Sequence, residues 1–468
     1  MSNENTLVNQ KKKKLPHIYG LLFIIIIVCT IATWILPAGE FDRADVGGRS
    51  VAVAGTYHAV EASPVNPFQM FQAIYNGFCD AGGVIFFVFI SYASISIIIG
   101  SGAFNGLVAA LLKIFKGKAR VVIIPVFLTI IGLASSTIGL FEEWFPFIPV
   151  FAGIAVAMGF DAVVGLSIVA VGAGMGYSGA MMNPFTVGVA QAIAEVPAMS
   201  GMGFRILCHV CMIAVASFFI IRYALKVQAD PTKSLVYGDE TNITMSEEDV
   251  KNARFSMREI LVLLILAAGI AVIVYGCKVY GWYFAELSAV FMIMGILSAI
   301  VMGGDLSSIS KQFEQGFTNV AMACMMIGLA RGILMVLQAG SIIDTVVYYM
   351  SLPLSYLPAA LSAVAMLVLQ TVLNFLIPSG SGQAATSMPI MAPLADLLGL
   401  NRDVAVLAFQ FGDGLSNIVW PTGFAAIMAG LAGVKVEKWW KFIVPVFLGL
   451  FVTQALLMVL AVAIGLGA

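Results

Sequence analysis

Apolar residues run along the chain in blocks of roughly twenty, divided by short polar stretches, and a block of that length is what a membrane-spanning helix needs. The pattern predicts spans over 18–37, 82–115, 162–193, 203–224, 260–277, 285–303, 317–349, 404–432 and 442–466. Two further apolar stretches, 121–158 and 355–399, are interrupted near their centres by Ser135-Ser136-Thr137-Ile138-Gly139 and by Pro378-Ser379-Gly380-Ser381-Gly382. Both read as re-entrant hairpins, because irregular backbone at membrane depth is tolerated only where protein buries it or where it lines a cavity. Residues 38–76 read as an external loop in which Gly47-Gly48-Arg49-Ser50-Val51 and Ala54-Gly55-Thr56-Tyr57 suggest a small β-hairpin. Residues 227–258 read as a polar cytoplasmic linker.

The interruptions recur in order. Gly77-Phe78 and Gly316-Phe317 each open a span, Gly139 lies seven residues before Pro146 as Gly382 lies seven before Pro389, and Asn183-Pro184-Phe185-Thr186 and Trp420-Pro421-Thr422-Gly423 each break a long helix. Every pair is separated by about 240 residues, which marks a duplication. The first repeat covers 18–226 and the second 285–468; the segment 259–284 supplies one extra span, so the second copy is inverted. Inverted repeats whose broken helices meet near the midplane are the architecture of secondary transporters. The expected fold is an all-α polytopic membrane protein.

Composition agrees: 60% of the 468 residues are hydrophobic and 10% charged, with a mean hydropathy of +1.00. The net charge of -1 offers no basic surface for nucleic acid. Lys11–Lys14 precede a first apolar run too long for a signal peptide, so residues 1–17 read as a cytoplasmic N-terminus before a retained helix. On that orientation eighteen of the 24 Lys and Arg lie inside, five lie outside (Arg43, Arg49, Arg205, Lys278, Arg402), and Arg331 falls within a span, which satisfies the positive-inside rule and puts the C-terminus outside. The six cysteines sit in or beside apolar segments, and Cys208-His209-Val210-Cys211 lacks the second pair that a metal site needs.

Between Arg120 and Asp161 the only charges are Glu142 and Glu143, at the first hairpin tip, and between Asp403 and Lys435 the only charge is Asp413. An ionised group at the centre of a spanning helix costs roughly 2.5–3.5 kcal/mol on insertion scales, so such residues face a water-filled site or a partner. If the repeats fold together, four groups converge: the first tip (Ser135, Ser136, Thr137, Glu142, Glu143), the first break (Ser178, Asn183, Thr186), the second tip (Ser379, Ser381, Gln383, Thr386, Ser387) and the second break (Asp413, Ser416, Asn417, Thr422). Arg331 is expected to pair with one of the three acids, and the remaining negative charge suits a cationic substrate, a coupled cation or a proton on one glutamate. The bland alternative is that the small polar residues only allow close helix packing. Asp344 is expected at the interface, and Asp80, Asp161, Glu195 and Asp396 near solvated helix ends. No HExxH, GxSxG, Walker A or kinase-like motif is present, so the chain does not read as an enzyme or an ATP-driven pump.

The segments Trp34-Ile35-Leu36-Pro37-Ala38-Gly39-Glu40-Phe41-Asp42-Arg43, Gly139-Leu140-Phe141-Glu142-Glu143, Gly328-Leu329-Ala330-Arg331-Gly332 and Pro378-Ser379-Gly380-Ser381-Gly382-Gln383-Ala384 resemble the YfcC family, in the DcuC-like branch of the ion transporter superfamily. The resemblance covers essentially the whole chain. It implies a scaffold domain that dimerises, a transport domain that carries both hairpins and moves as an elevator, and secondary transport in a bacterial inner membrane. Members of the family include C4-dicarboxylate carriers and basic amino acid antiporters. The acidic first tip departs from the Ser-Asn-Thr tips of sodium-coupled dicarboxylate members and favours arginine/ornithine exchange. A proton- or sodium-coupled carrier of carboxylates or small peptides is the alternative, and a channel is a more distant one. No cofactor is expected beyond a possible coupling ion, H+ or Na+.

Overall fold

The computed structural model describes residues 17–45, 50–53, 55–105, 117–239 and 256–467. Lys11–Lys14, Gly47-Gly48-Arg49, the end of the 82–115 span and much of the 227–258 linker lie outside the described residues. The first half contains α1 (Ile18–Ile35), α2 (Pro67–Asp80), α3 (Gly82–Gly100), a helical hairpin of α4 (Ile123–Thr137) and α5 (Ile148–Ala157), a broken helix of α6 (Ala162–Ser178) and α7 (Val187–Ile193), and the long α8 (Met202–Ala229). After α9 (Met257–Tyr280) the order recurs as α10 (Phe284–Val301), α11 (Leu306–Ala339), a short α12 (Ile343–Ser351), the hairpin α13 (Ala359–Leu376) and α14 (Gly380–Leu397), the broken helix α15 (Arg402–Ser416) and α16 (Ala425–Leu431), and α17 (Val436–Ala463). Corresponding elements begin at residues 67 and 306, 123 and 359, 162 and 402, 187 and 425, and 202 and 436. That spacing is the one read from the sequence.

Nine helices among the described residues are long and apolar enough to cross a membrane. Two of them are hairpin arms, α4 with its preceding turn and α13, whereas the broken helices α6 and α15 fall short of a full span. The loop after α1 carries two antiparallel strand pairs, β1 (Gly39–Glu40) with β4 (His58–Ala59), and β2 (Arg43–Asp45) with β3 (Ser50–Ala52). The expected hairpin is therefore present only in part: Val51 pairs with Ala44, and the Thr56-Tyr57 segment leads to a different strand.

Several expected boundaries change. The loop predicted over 38–76 ends in helix α2, which starts at the N-cap Asn66 with Pro67 at its first position and a reciprocal capping box to Gln69. The span predicted at 317–349 is α11, displaced towards the N-terminus: Asp305 caps it by accepting from Ser308 N at 2.8 Å, and a turn at Gly340–Ile342 ends it. The polar first turns of α11 hide it from a hydropathy window. Asp344 is not solvated but buried at the start of α12, where it accepts from Phe41 N at 3.0 Å and pairs with Arg43 at 2.6 Å. Asp161, also expected to be solvated, is the buried N-cap of α6 and accepts from Val164 N, Tyr223 Oη and Ser234 Oγ. Glu195 and Asp396 do lie at exposed helix ends, and both pair with Arg402.

The helices form two packed groups. One contains α1, α2, α3, α9, α10 and α11; the other contains both hairpins, both broken helices, α8 and α17. In the first, Gly77 of α2 meets Gly328 and Gly332 of α11 so closely that a Cβ at Gly77 would lie 2.5 Å from Gly332 N. Small residues that bring helix backbones together are the usual membrane solution where no hydrophobic effect drives association. The second group meets the first mainly through the tip of the first hairpin on α3 and through α16 on α11.

The start of the linker belongs to the second group. Ser234 donates to Asp161, Leu235 N donates to Tyr223 Oη at 3.0 Å, and Asp239 pairs with Lys435 at 3.1 Å and Lys438 at 2.7 Å. The two lysines hold the Asp239 carboxyl below its usual range. A carboxylate with a lowered folded value contributes stability above its unfolded value and loses it as pH falls through the folded one. Limited proteolysis of the linker is therefore expected to stay constant from neutral pH down to about pH 4, near the unperturbed aspartate value, and to accelerate only below it. Asp239→Asn should raise cleavage at neutral pH; equal cleavage of the variant and the parent would remove this role.

Candidate functional site

The second group is organised around two helix breaks that cross each other. At the first, α6 stops at Ser178 and α7 starts at Val187, which frees backbone groups inside the protein. Ser136 of the hairpin satisfies part of them: its Oγ donates to Gly179 O at 3.2 Å and accepts from Met181 N at 2.9 Å. Asn183 Nδ2 donates to Ser135 O at 3.4 Å, and its Oδ1 accepts from Phe185 N at 2.9 Å. Ser136 and Asn183 therefore fasten the hairpin to the break.

The second break, between Ser416 and Ala425, is held by a denser network. Asn374 of α13 donates to Asp413 Oδ1 at 3.0 Å and to Gln383 Oε1 at 3.2 Å, and its own Oδ1 lies 2.7 Å from Ser416 Oγ. Gln383 Nε2 donates to Gln370, and Asn417 Nδ2 donates to Asp413 O at 2.8 Å. Indoles supply donors to the freed carbonyls: Trp439 to Ile418 O at 3.0 Å and Trp440 to Val419 O at 2.8 Å. Such partners are obligatory where no water reaches the backbone. The two breaks are joined by Gln410, which donates to Thr186 Oγ1 at 2.9 Å and to Tyr177 O, and by Ser178 Oγ, which donates to Phe411 O at 3.1 Å.

The hairpin tips point into the space beside this crossing. At the first tip Gly139 has a left-handed φ of +86°, and a Cβ there would lie 2.7 Å from Asn183 Oδ1. Its carbonyl accepts from Tyr177 Oη at 2.8 Å. The chain then turns so that Glu142 and Glu143 open a short 3-10 turn, with Glu143 Oε2 accepting from Phe141 N at 2.8 Å. At the second tip Ser379 caps α14, its Oγ accepting from Gly382 N at 3.4 Å. The N-terminal turn of α14 and the acidic turn at Glu142–Phe147 border the same space.

A cavity of about 620 Å³ lies between the two helix groups. Of the residues singled out in the sequence, Glu142, Glu143, Ser379, Ser381, Asn417, Thr422 and Arg331 line it, together with Thr186. Ser136, Asn183, Gln383, Asp413 and Ser416 are buried behind the lining. Thr137 and Thr386 are occupied with the helix carbonyls of Leu133 and Gly382. Asp413 stands immediately behind Gly380: a Cβ on that glycine would come within 3.1 Å of Asp413 Oδ2. Asp413 Oδ2, Asn417 Oδ1 and Thr422 Oγ1 are buried oxygens with no hydrogen-bond partner among the described residues.

Arg331 departs from expectation. It does not pair with Glu142, Glu143 or Asp413 but with Asp80, the last residue of α2. The cause is the glycine contact between α2 and α11: Gly77 lies three residues before Asp80, and Arg331 lies between Gly328 and Gly332, so the close approach puts the two side chains together. With Asp80 and Arg331 offsetting each other, Glu142, Glu143 and Glu286 remain on the cavity wall without a cationic partner among the described residues. Sequence reasoning also missed the aromatic part of the wall, Phe141, Tyr177, Phe185, Tyr283, Phe284 and Phe424. Asn374 and Gln370, polar residues inside the apolar 355–399 stretch, were the available signal for the buried network.

Helices of spanning length, two interrupted hairpins and a charged cavity between two helix groups fit a multi-pass membrane transporter. The chain belongs to the DcuC family, described as C4-dicarboxylate anaerobic carriers, whose family model matches residues 15–463. It is 30% identical to YfcC of Escherichia coli, provisionally named a basic amino acid antiporter, over 91% of this chain and 92% of that protein. It is 28% identical to an uncharacterized protein of Haemophilus influenzae, over 97% of this chain and 99% of the relative. Among solved structures, the YdaH transporter of Alcanivorax borkumensis aligns with a TM-score of 0.45 at 15% identity, over 96% of this chain and 99% of that one. MtrF of Neisseria gonorrhoeae, described with a class of antimetabolite efflux pumps, aligns with a TM-score of 0.44 at 17% identity, over 97% and 96%.

Proposed function

We propose that the protein is a secondary active transporter of basic amino acids that exchanges arginine for ornithine. The observation that carries this reading is the charge of the cavity: the one arginine on its wall is already paired with Asp80, while Glu142 and Glu143 face the space together. A dicarboxylate would meet that acidic tip with repulsion on both of its ends. A basic amino acid meets it with its side-chain cation, and its carboxylate reaches either Arg331 or the N-terminal turn of α14 with Ser379 and Ser381. Helix N-termini at broken helices are suited to that anionic group. The name given to the Escherichia coli relative supports the same substrate class.

In this reading the second helix group carries the cargo as an elevator against the first, the first group mediates a homodimer within the lipid, and the protein lies in a bacterial inner membrane with its N-terminus cytoplasmic and its C-terminus external. Exchange needs no driving ion when the empty carrier, with its acids uncompensated, crosses slowly. Proteoliposomes loaded with ornithine are expected to take up labelled arginine, and unlabelled arginine outside should chase it. No uptake by folded protein that moves another solute would sink the assignment.

The second reading is a proton- or sodium-coupled carrier of C4-dicarboxylates, other carboxylates or small peptides. It is favoured by the unpartnered oxygens Asp413 Oδ2, Asn417 Oδ1 and Thr422 Oγ1 beside the second tip, a donor set suited to a hard cation, and by the family description. Uptake of succinate that follows an imposed sodium or proton gradient, with no arginine counterflow, would establish it instead.

A further inference from the structure

Beside the acidic tip the cavity wall includes aromatic rings that no part of the exchange reading requires. Phe141 packs on Tyr177 with ring centroids 4.9 Å apart and on Phe424 at 5.1 Å, and these three belong to the helix group that carries the hairpins. Tyr283 and Phe284 come from the other group, at the junction of α9 and α10, and Tyr283 reaches across to Phe185 of the first break at 5.7 Å. Tyr283 is 49% exposed. Its side chain lines the same cavity as Glu142, Glu143 and Arg331. A carboxylate pair faced by aromatic rings is the combination that holds an organic cation, through charge on one side and ring quadrupoles on the other. The planar, weakly hydrated guanidinium gains most from a ring face, whereas a compact, strongly hydrated ammonium gains least.

We propose that Tyr283 is a specificity-determining residue that makes this site prefer guanidinium cations over primary ammonium cations of the same charge. The proposal rests on the basic amino acid reading and assigns its preference to one ring contributed by the first helix group. Glu142 and Glu143 attract either cation; the ring distinguishes between them.

The experiment measures the dissociation constants of arginine and of ornithine for the full-length protein in detergent, by calorimetry, in the parent and in Tyr283→Phe and Tyr283→Leu. Tyr283→Leu is expected to weaken arginine by about 5- to 10-fold, the size of a partly desolvated cation–π contact, and ornithine by less than about 2-fold. Tyr283→Phe keeps the ring and should keep the arginine-to-ornithine ratio, which separates the ring face from the hydroxyl and from a folding defect. Equal losses for the two ligands in Tyr283→Leu, or a collapsed ratio in Tyr283→Phe, overturn the assignment of Tyr283 alone. Binding of neither amino acid by the folded parent overturns the exchange reading and this proposal with it.

Discussion

Glu142→Gln and Glu143→Gln together are expected to weaken binding of a basic amino acid by about 100-fold, equivalent to roughly 2.7 kcal/mol and typical of removing one side of a desolvated charge pair. Glutamine keeps the size of each side chain, and at position 143 it keeps an oxygen to accept from Phe141 N, so the tip retains its shape. The loss should therefore appear in affinity and transport with little change in thermal stability. Calorimetric titration with arginine, beside counterflow in proteoliposomes, reads both. If substrate binding survives in the double variant while dependence on a sodium or proton gradient disappears, the glutamates hold the coupling ion and the second reading takes over. The single variants assign the effect: Glu142 is half-buried against the cavity, whereas Glu143 is buried and also braces the turn. The larger loss is expected at Glu142.

Asn374→Leu is expected to be the most destabilising single substitution in the buried network. It removes the donor to both Asp413 Oδ1 and Gln383 Oε1 and the acceptor facing Ser416. Each buried polar atom left without a partner costs about 1–3 kcal/mol, and more if it is charged. Two orphaned acceptors, one of them on a carboxylate, therefore predict a loss of at least about 2 kcal/mol. Leucine is apolar like the rest of α13, so the loss does not reflect a failure of membrane insertion; it is the larger side chain, and overpacking at this buried site adds to the lost hydrogen bonds. A lowered melting temperature in detergent, reversed in part by Asn374→Gln, is the expected result. A melting curve that coincides with that of the parent would falsify the view that Asn374 joins the second hairpin to the second break.

The accuracy of the sequence reading followed the physical strength of each signal. The breaks at Asn183-Pro184 and Trp420-Pro421 and the interrupted hairpins were legible because proline and glycine cannot continue a helix and the lipid punishes any irregular backbone without a partner. Helix α2 was missed although its signal, Asn66-Pro67 followed by Gln69, is a standard helix start; the search for apolar length passed over an amphipathic helix. Asp161 stands at the helix end expected for it, whereas Asp344, expected near the end of a 317–349 span, lies instead in the first turn of α12; the burial of both depends on Tyr223, Ser234 and Arg43, which come from distant parts of the chain. Arg205, counted among the external charges, is fully buried in the first turn of α8.

By itself the sequence determined most of the spans, the recurring order of their interruptions and the exceptional character of Glu142, Glu143 and Asp413, because each is a property of local order or of transfer into a membrane. The tertiary structure decided which of these residues share a space. It paired Arg331 with Asp80, a residue 251 positions away, through a glycine contact; it sent Asp413 behind Gly380; and it brought Tyr283 of the first helix group to the same cavity as the acids of the second. Those outcomes depend on how two packed groups meet, and no interval along the chain encodes that distance.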